Sequence, residues 1–169
     1  MRGHITPVWN QIHRSLELVE RHDYDSAEWL CDPNAYRGLV GVDHRSLNDK
    51  EVEIFLNKDS PLTELLIDPR VALHRLRPSW IIPEHKDLYR RYREHHNQIP
   101  IENIIRIIVF LEDWQSGHIL QIGNELIAPW KAGDFVSWMG DTPHIAANLG
   151  SSDRYTLQIT GISQYDRIW

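Results

Sequence analysis

The stretch Pro83-Glu84-His85-Lys86-Asp87 and, far downstream, the pair Pro143-His144 decide how this chain is organised. Side chains alternate between the two faces of an extended segment, so His85 and Asp87 point to the same side. Both can therefore bind one metal ion. His144 is the best candidate for a third ligand, because two histidines and one carboxylate form the arrangement that holds non-haem Fe(II) while leaving coordination positions open. The sequence therefore predicts a metal site at His85, Asp87 and His144.

Arg154 is a candidate anion-binding residue downstream of His144. Arg154 lies ten positions after His144 and begins a run typical of a buried or half-buried strand, Arg154-Tyr155-Thr156-Leu157-Gln158-Ile159-Thr160. A guanidinium fork can bind a carboxylate through two hydrogen bonds. Thr156 shares the face of Arg154, so its hydroxyl either contacts that carboxylate or packs in the core. The alternative for Arg154 is an exposed charge paired with Asp153, a kind of pair that contributes little.

Arg106 is the most unusual other charge, because it interrupts the nearly continuous apolar run of residues 104–111. Such a run is typical of a strand covered on both faces. A buried arginine is costly unless its charge is paired. Two partners are open for Arg106: the carboxylate of a bound molecule, or an internal salt bridge. His118, in a later strand, either lines a pocket or is a hydrogen-bonded core histidine, and we favour the second interpretation.

In these residues the chain resembles the Fe(II)/2-oxoglutarate-dependent oxygenase superfamily, whose pattern is His-x-Asp, a distant His and an Arg shortly after it. Here 56 residues separate Asp87 from His144. The resemblance covers about residues 70–162 and is greatest to the aspartyl/asparaginyl and proline hydroxylase branch. The motifs that carry it are Asn103-x-x-Arg106, Gly123-Asn124-Glu125, Trp130-Lys131-Ala132-Gly133-Asp134, Pro143-His144-x-x-x-Asn148 and Arg154-Tyr155-Thr156-Leu157. Mammalian-type aspartyl hydroxylases have a small residue in place of Asp87, so their substrate does not carry over.

The resemblance implies that His85, Asp87 and His144 hold Fe(II), that 2-oxoglutarate chelates it with its distal carboxylate on Arg154, and that O2 is the second co-substrate. It implies hydroxylation of an unactivated C–H with release of succinate and CO2. The implied substrate is a small molecule, an amino acid or an amino-acid residue in a peptide. Because Asp87 supplies the third protein ligand, no coordination position on the iron is left for a halide ion, and halogenation is disfavoured. The branch also has an Arg near Arg106 in its co-substrate pocket.

Two other functions remain open from the sequence. A metal-dependent cupin enzyme that does not use 2-oxoglutarate would share the barrel, but such sites usually combine clustered histidines with a Glu. A non-catalytic jelly-roll binding module would need no metal ligands. The basic run Tyr89-Arg90-Arg91-Tyr92-Arg93-Glu94, followed by His95-His96, is predicted to be a solvated loop or lid. With Lys86, Arg75 and Arg77, its arginines either steer 2-oxoglutarate or an anionic substrate to the site, or form a solvated face balanced by carboxylates.

Length, composition and charge limit the classes to which this protein can belong. A length of 169 residues predicts one domain, 1–169, and 41% apolar with 25% charged residues is ordinary for a globular chain. The net charge of −6 argues against general nucleic-acid binding. The single cysteine, Cys31, excludes an intramolecular disulfide framework and a thiolate-cluster metal site. We find neither a signal peptide nor an apolar run long enough to span a membrane, so a cytoplasmic location is expected.

The pattern of residues predicts a mainly β protein with an N-terminal helical support region, residues 1–68. Trp9, Ile12, Leu16 and Val19 predict an amphipathic helix over residues 8–22. A capping box at Asn48 and Ser60-Pro61 predict two more short helices, the second ending near residues 68–69. Short strands are predicted at residues 71–76, 80–83, 104–111, 118–122, 125–127, 134–138, 144–148 and 155–162. They favour a sandwich or jelly roll, and the candidate metal site selects a cupin-like double-stranded β-helix for residues 69–163, followed by a tail at 164–169.

Overall fold

The structure, a computed structural model, describes residues 1–21, 28–57, 60–64 and 66–164. Two antiparallel sheets dominate these residues. Their strands are β1 (Arg2–His4), β2 (Val19–Arg21), β3 (Val42–Ser46), β4 (Leu66–Leu76), β5 (Ile81–His85), β6 (Ile104–Phe110), β7 (His118–Ile122), β8 (Glu125–Ile127), β9 (Asp134–Met139), β10 (His144–Asn148) and β11 (Arg154–Ser163). Short helices are α1 (Asp49–Phe55), α2 (Pro61–Glu64) and α3 (Arg90–His95), with 3-10 turns at Ile12–Arg14, Pro33–Tyr36 and Ile101–Asn103.

The strand order is that of a double-stranded β-helix. The larger sheet runs β1-β9-β6-β11-β4-β3-β2, and the smaller one runs β5-β10-β7-β8. The predicted mainly β, cupin-like fold is confirmed, and each strand predicted after residue 70 is present. In the part of the chain that is described, no helix is long and apolar enough to cross a membrane.

Alternation along the central strands separates an outer core from the interior between the sheets. On β11, Tyr155, Leu157 and Ile159 face a core that includes Phe55 of α1 and Leu62 of α2. The residues between them face the other way, toward the smaller sheet. Every residue of β6 is buried, as its apolar run predicted, because it packs on both faces. An inner apolar layer joins the sheets and contains Leu76, Ile108, Phe110, Leu120, Ile127, Trp130, Val136, Trp138 and Ala146.

The predicted helix over residues 8–22 is wrong within the described residues. That segment holds only the 3-10 turn Ile12–Arg14, and Val19–Arg21 is edge strand β2. Asn10 and Gln11 have positive φ angles of 39° and 62°, which an α-helix does not allow. Trp9 is buried instead and donates its indole N–H to the Leu111 carbonyl at 2.9 Å. Burial of this one large side chain outweighs the weak helical preference of the segment.

The other two N-terminal helices are confirmed. Asn48 caps α1 through its side chain, which accepts from the Glu51 N–H, while the Glu51 carboxylate accepts from the Asn48 N–H. α2 begins at Pro61 as predicted but ends at Glu64, because β4 already begins at Leu66. Asp68 has φ 44°, and the pairing of β4 with β11 shifts register opposite this point, between Thr160 and Ile162. The strand thus passes Pro69 by an irregularity that the sequence pattern did not predict.

Candidate metal centre and cavity

The three predicted metal ligands meet at one end of the smaller sheet. His85 is the last residue of β5, His144 is the first of β10, and the antiparallel register places them directly opposite each other. Their ring centroids are 4.2 Å apart. Asp87 follows β5 by two residues, and one ligand atom from each of the three residues lies within 4.8 Å of the others. In the described segments this is the one group of three such side chains that could hold a metal ion.

Backbone carbonyls orient both imidazoles. The Nδ1 of His85 lies 2.7 Å from the Pro83 carbonyl oxygen, and the Nδ1 of His144 lies 3.0 Å from that of Thr142. A carbonyl can only accept, so each Nδ1 carries a proton, and the neutral form of each ring then has its lone pair on Nε2. The two Nε2 atoms lie 3.9 and 3.7 Å from oxygens of Asp87. Three donor groups therefore converge with the tautomers that a metal ion requires.

Charge at this site matches the same requirement. Burial lowers the pKa of His144 to about 4, against the opposing effect of Asp87, so its imidazole is neutral near neutral pH. Burial would raise the pKa of Asp87, but the charge of Arg106 and smaller effects of the two histidines hold that pKa well below its usual range. The donor set is thus two imidazoles and an ionised carboxylate.

Arg106 makes the internal salt bridge that the sequence left open. Its Nε and Nη2 donate to Asp87 Oδ2 at 3.0 and 2.7 Å, and its Nη1 donates to the Thr160 hydroxyl. The guanidinium carbon lies 5.0 Å from the ring centre of Tyr89. Arg106 and Thr160 are paired across β6 and β11. The larger sheet therefore holds the carboxylate of Asp87, which with His85 and His144 forms the candidate metal-binding group, called the metal group below. A direct contact of Arg106 with a co-substrate stays a prediction.

Arg154, the predicted carboxylate anchor, is buried at the start of β11 with 8% of its surface exposed. Its Nη1 donates to the Ile119 carbonyl of β7 at 2.6 Å. Its buried Nε has no hydrogen-bond partner in the described part of the chain, and burial lowers its pKa to about 10. The alternative of an exposed pair with Asp153 is wrong, since the Asp153 carboxylate lies 3.8 Å from Arg75 instead.

One cavity of about 1240 Å³ contains both the metal group and Arg154. It lies between the sheets and is larger than the roughly 300–1,000 Å³ of typical ligand pockets. The residues of β11 that face away from the outer core all line this cavity: Arg154, Thr156, Gln158 and Thr160. Thr156 is buried opposite His74 and Phe110, so it faces the cavity as the period-two rule predicted. Apolar side chains complete the wall, among them Leu76, Ile82, Phe110, Leu120 and Ala146.

The basic residues near the site divide into two groups. Arg90 and Arg91 line the cavity. They belong to α3, so the segment predicted to be a solvated loop or lid is a short helix. Arg75 and Arg77 do not belong to the cavity mouth. Both bind the fully buried Asp43 on the other face of the larger sheet, Arg75 through Nε at 2.6 Å and Arg77 through Nε at 2.8 Å. Alternation along β4 separates Arg75 from the cavity side.

Three other histidines lie in the strands around the metal site. His118 is a buried, hydrogen-bonded histidine, as favoured, with Nε2 at 3.1 Å from the Ser152 carbonyl oxygen. His44 of β3 and His74 of β4 line the cavity and were not predicted as site residues. Their signal in the sequence was the alternation of residues 42–46 and 71–76, which places both on the face of Thr156 once the strand pairing is known.

No protein-family model matches the chain, and no curated protein matches it. Solved structures of the same fold do. A prolyl-4-hydroxylase from Pseudomonas putida aligns with a TM-score of 0.50 and 15% identity, covering 73% of this chain and 70% of that one. A predicted oxalate decarboxylase from Thermotoga maritima aligns with a TM-score of 0.44 and 18% identity, covering 72% and 81%. The Cupin_2 domain of an XRE family transcriptional regulator from Enterobacter cloacae gives 0.45 and 16%, covering 75% and 98%.

Proposed function

We propose that this protein is a non-haem Fe(II)- and 2-oxoglutarate-dependent dioxygenase that hydroxylates an unactivated C–H of a small substrate, an amino acid or amino-acid residue. The observation that carries the proposal is the presence, in one cavity, of a two-histidine, one-carboxylate group and a buried arginine with an unsatisfied donor. The likeness to a prolyl-4-hydroxylase is one of fold, so the proposed chemistry depends on these residues.

The donor set fits Fe(II). His85 and His144 present Nε2 lone pairs because their Nδ1 protons are held by carbonyls, and Asp87 supplies the charge. Two imidazoles and one carboxylate on one side of an ion leave its remaining positions for other molecules. When bound there, Fe(II) with 2-oxoglutarate and O2 would supply the oxidation of a C–H bond, with release of succinate and CO2.

Arg154 fits the distal carboxylate of 2-oxoglutarate. A guanidinium buried without an anion is unfavourable, and its lowered pKa reflects that cost. A bound carboxylate would accept from the free Nε–H and balance the charge. The neighbouring Thr156 hydroxyl, two residues along the same face, could donate to the same group.

The position of Arg154 suits a ligand that reaches from the metal group into the cavity. Its guanidinium binds the carbonyl of Ile119, which is paired with Ala147 on β10. Ala147 lies three residues from His144, a separation of roughly 10 Å along a strand. The apolar residues Leu120, Ala146 and Phe110 line the same cavity, and they exclude water from the space in which the hydrogen bonds would form.

The test is succinate formation from 2-oxoglutarate by the full chain with added Fe(II), ascorbate and O2, measured with a panel of free amino acids and short peptides. We expect succinate above the metal-free background, increased by substrate. Arg154→Lys keeps a positive charge but lacks the fork, so it should lose this activity, while the exposed Arg2→Lys should retain it.

Two results would contradict the proposed dioxygenase function. If the protein binds Fe(II) at His85, Asp87 and His144 yet neither binds nor consumes 2-oxoglutarate, the dioxygenase proposal fails and a metal-dependent cupin enzyme of another class takes its place. If it binds neither metal nor 2-oxoglutarate, a non-catalytic binding module remains.

A further inference from the structure

Two histidines on the larger sheet, His44 and His74, have no assigned part in holding the metal or 2-oxoglutarate. His44 of β3 is paired with His74 of β4, and His74 is paired with Thr156 of β11. Residues directly opposite in an antiparallel pair lie on the same face, so all three face the cavity. The His44 and His74 ring centroids are 5.1 Å apart. The cavity therefore has an imidazole pair on the larger sheet, facing the smaller sheet that carries His85 and His144.

His74 has an unsatisfied polar atom at this wall. Its Nε2 is buried and has no hydrogen-bond partner among the residues that the structure describes. A polar atom in that state costs free energy unless a ligand or water satisfies it. A second metal site is a poor explanation for the pair, since no third His, Cys, Asp or Glu in the described segments converges on it.

The charges acting on the pair favour an anion. Burial and then Arg21 lower the pKa of His44. Burial lowers the pKa of His74 well below its usual value, and His44, Arg106, Arg21 and Arg154 lower it further. Arg21 lies on edge strand β2, two residues from the Val19 that is paired with His44, so it lies on the same face and lines the cavity.

Acidic residues also line the cavity, but on other elements. Asp49 begins α1, Glu94 belongs to α3, and a carboxylate oxygen of Glu28 accepts from the Leu88 N–H at 3.0 Å. None of them is a principal influence on the two imidazoles. The wall at His44 and His74 therefore lies in the field of the Arg21 guanidinium and contains an unsatisfied nitrogen, within a volume large enough for a second small molecule beside the co-substrate.

We propose that His44 and His74, with Arg21 beside them, form a carboxylate-binding subsite for the substrate. A substrate carboxylate held there would accept a hydrogen bond from His74 and lie in the field of Arg21, with the rest of the molecule directed across the cavity toward His85 and His144. The inference rests on the proposed function only in naming the bound molecule the substrate. It narrows the substrate class to small molecules with a free carboxylate, such as a free amino acid, over an internal residue of a peptide.

The experiment is an NMR titration of the full chain labelled with ¹⁵N and ¹³C in histidine, with the imidazole signals of His44 and His74 as the readout. The probe is N-acetylglycine, and its matched control is N-acetylglycinamide, which has the same shape without the carboxylate. We expect saturable shifts of both signals with N-acetylglycine and none with the amide. Repeating the titration on Arg154→Leu separates this subsite from the anchor, because the shifts should persist there.

Variants test the assignment further. His74→Phe keeps a ring but removes the nitrogens, and it should weaken N-acetylglycine binding by about tenfold or more, as loss of a hydrogen bond to a charged group does. His44→Phe is a second variant should His74→Phe not fold, and the exposed His4→Phe is the control expected to bind normally.

Specific results would overturn the subsite. Equal shifts with the acid and the amide, or no shift at either imidazole, would remove it, and saturation with inorganic phosphate alone would show that the class is wrong. These outcomes are independent of succinate formation. A protein that consumes 2-oxoglutarate but shows no response at His74 refutes only the subsite, whereas a response without 2-oxoglutarate binding refutes only the dioxygenase.

Discussion

Arg106 directs two hydrogen bonds, from Nε and Nη2, to the same oxygen of Asp87, Oδ2. The other oxygen, Oδ1, faces Nε2 of His85 at 3.9 Å. Both partners are largely buried, with 7% and 15% of their side-chain surfaces exposed. Arg106 therefore has two effects on the metal group: it fixes the orientation of the carboxylate, and it supplies the positive charge that Asp87 would otherwise lack when no metal is bound.

The first prediction is that Arg106→Leu destabilises the metal-free protein by about 3 to 5 kcal/mol, because it leaves a buried carboxylate unpaired. A bound divalent cation would then replace the missing charge. Urea unfolding with and without Mn²⁺ should show a larger stabilisation by the metal in Arg106→Leu than in the wild type. Asp87→Asn in the Arg106→Leu background should recover much of the loss, and additive losses in the double variant would contradict the pairing.

The second prediction concerns the ligands themselves. His85→Ala and His144→Ala should each weaken Fe(II) binding by more than the roughly 10–100-fold that loss of an outer hydrogen-bond partner costs, because each removes a direct donor. Asp87→Ala should also end hydroxylation. Equilibrium dialysis with metal analysis gives the affinity, and near-UV circular dichroism checks the fold. Normal iron binding in both histidine variants would refute the metal site, and His4→Ala is the exposed-histidine control.

The third prediction separates co-substrate from metal. Arg154→Ala removes a charged, bidentate partner, a loss typically of about 2 to 5 kcal/mol for a desolvated contact. The dissociation constant of 2-oxoglutarate should therefore rise by roughly one and a half to three and a half decades, at about 1.4 kcal/mol per decade. Fe(II) binding should be retained. Calorimetric titration under nitrogen measures both constants, and wild-type 2-oxoglutarate affinity in Arg154→Ala would exclude Arg154 as the anchor.

The fourth prediction is a gain in stability from the same position. Arg154 is buried with its Nε unsatisfied, so Arg154→Leu should stabilise the ligand-free protein by about 1 to 3 kcal/mol, since an apolar side chain does not carry that cost. Chemical denaturation without 2-oxoglutarate measures the change. A marked loss of stability would mean that the bond from Arg154 to the Ile119 carbonyl contributes more than the unsatisfied donor costs.

The fifth prediction concerns the N-terminal region, away from the cavity ligands. Asn48→Ala removes the side-chain cap of α1 and should lower the free energy of unfolding by about 0.5 to 2 kcal/mol. Fe(II) and 2-oxoglutarate binding should be unchanged. Asn124→Ala is a matched control, because Asn124 is exposed in the turn between β7 and β8 and caps no helix. Equal losses in the two variants would argue against a specific capping effect.

The sequence predicted the barrel better than its N-terminal extension, for a physical reason. Strands such as β6 and β11 carry their own signal, because β6 is buried along its whole length, β11 is buried along most of its length, and both are bounded by turn residues. Residues 8–21 also carry apolar side chains at helical spacing, yet Trp9 contacts Leu111, about a hundred residues away, and that long-range contact decides the local conformation. Local periodicity contains no information about such a partner.

Part of the candidate site could also be predicted from the sequence, and part could not. The metal group was predictable, because His85 and Asp87 are close in sequence and His144 precedes a strand. The partner of Arg106 was not, because two pairings met the same requirement of charge balance and only the three-dimensional structure distinguishes them. His44 and His74 were missed because their common face depends on the register between β3, β4 and β11, which single-strand patterns do not contain.

The alternation of β11 makes the length of the turn before it a determinant of both folding and chemistry. Arg154, Thr156, Gln158 and Thr160 line the cavity, while Tyr155, Leu157 and Ile159 lie in the outer core. Deleting one residue from the turn at 149–153 without loss of pairing would send the arginine into the outer core and a tyrosine into the cavity. Insertions and deletions ahead of this strand should therefore be almost absent among functional descendants of this protein.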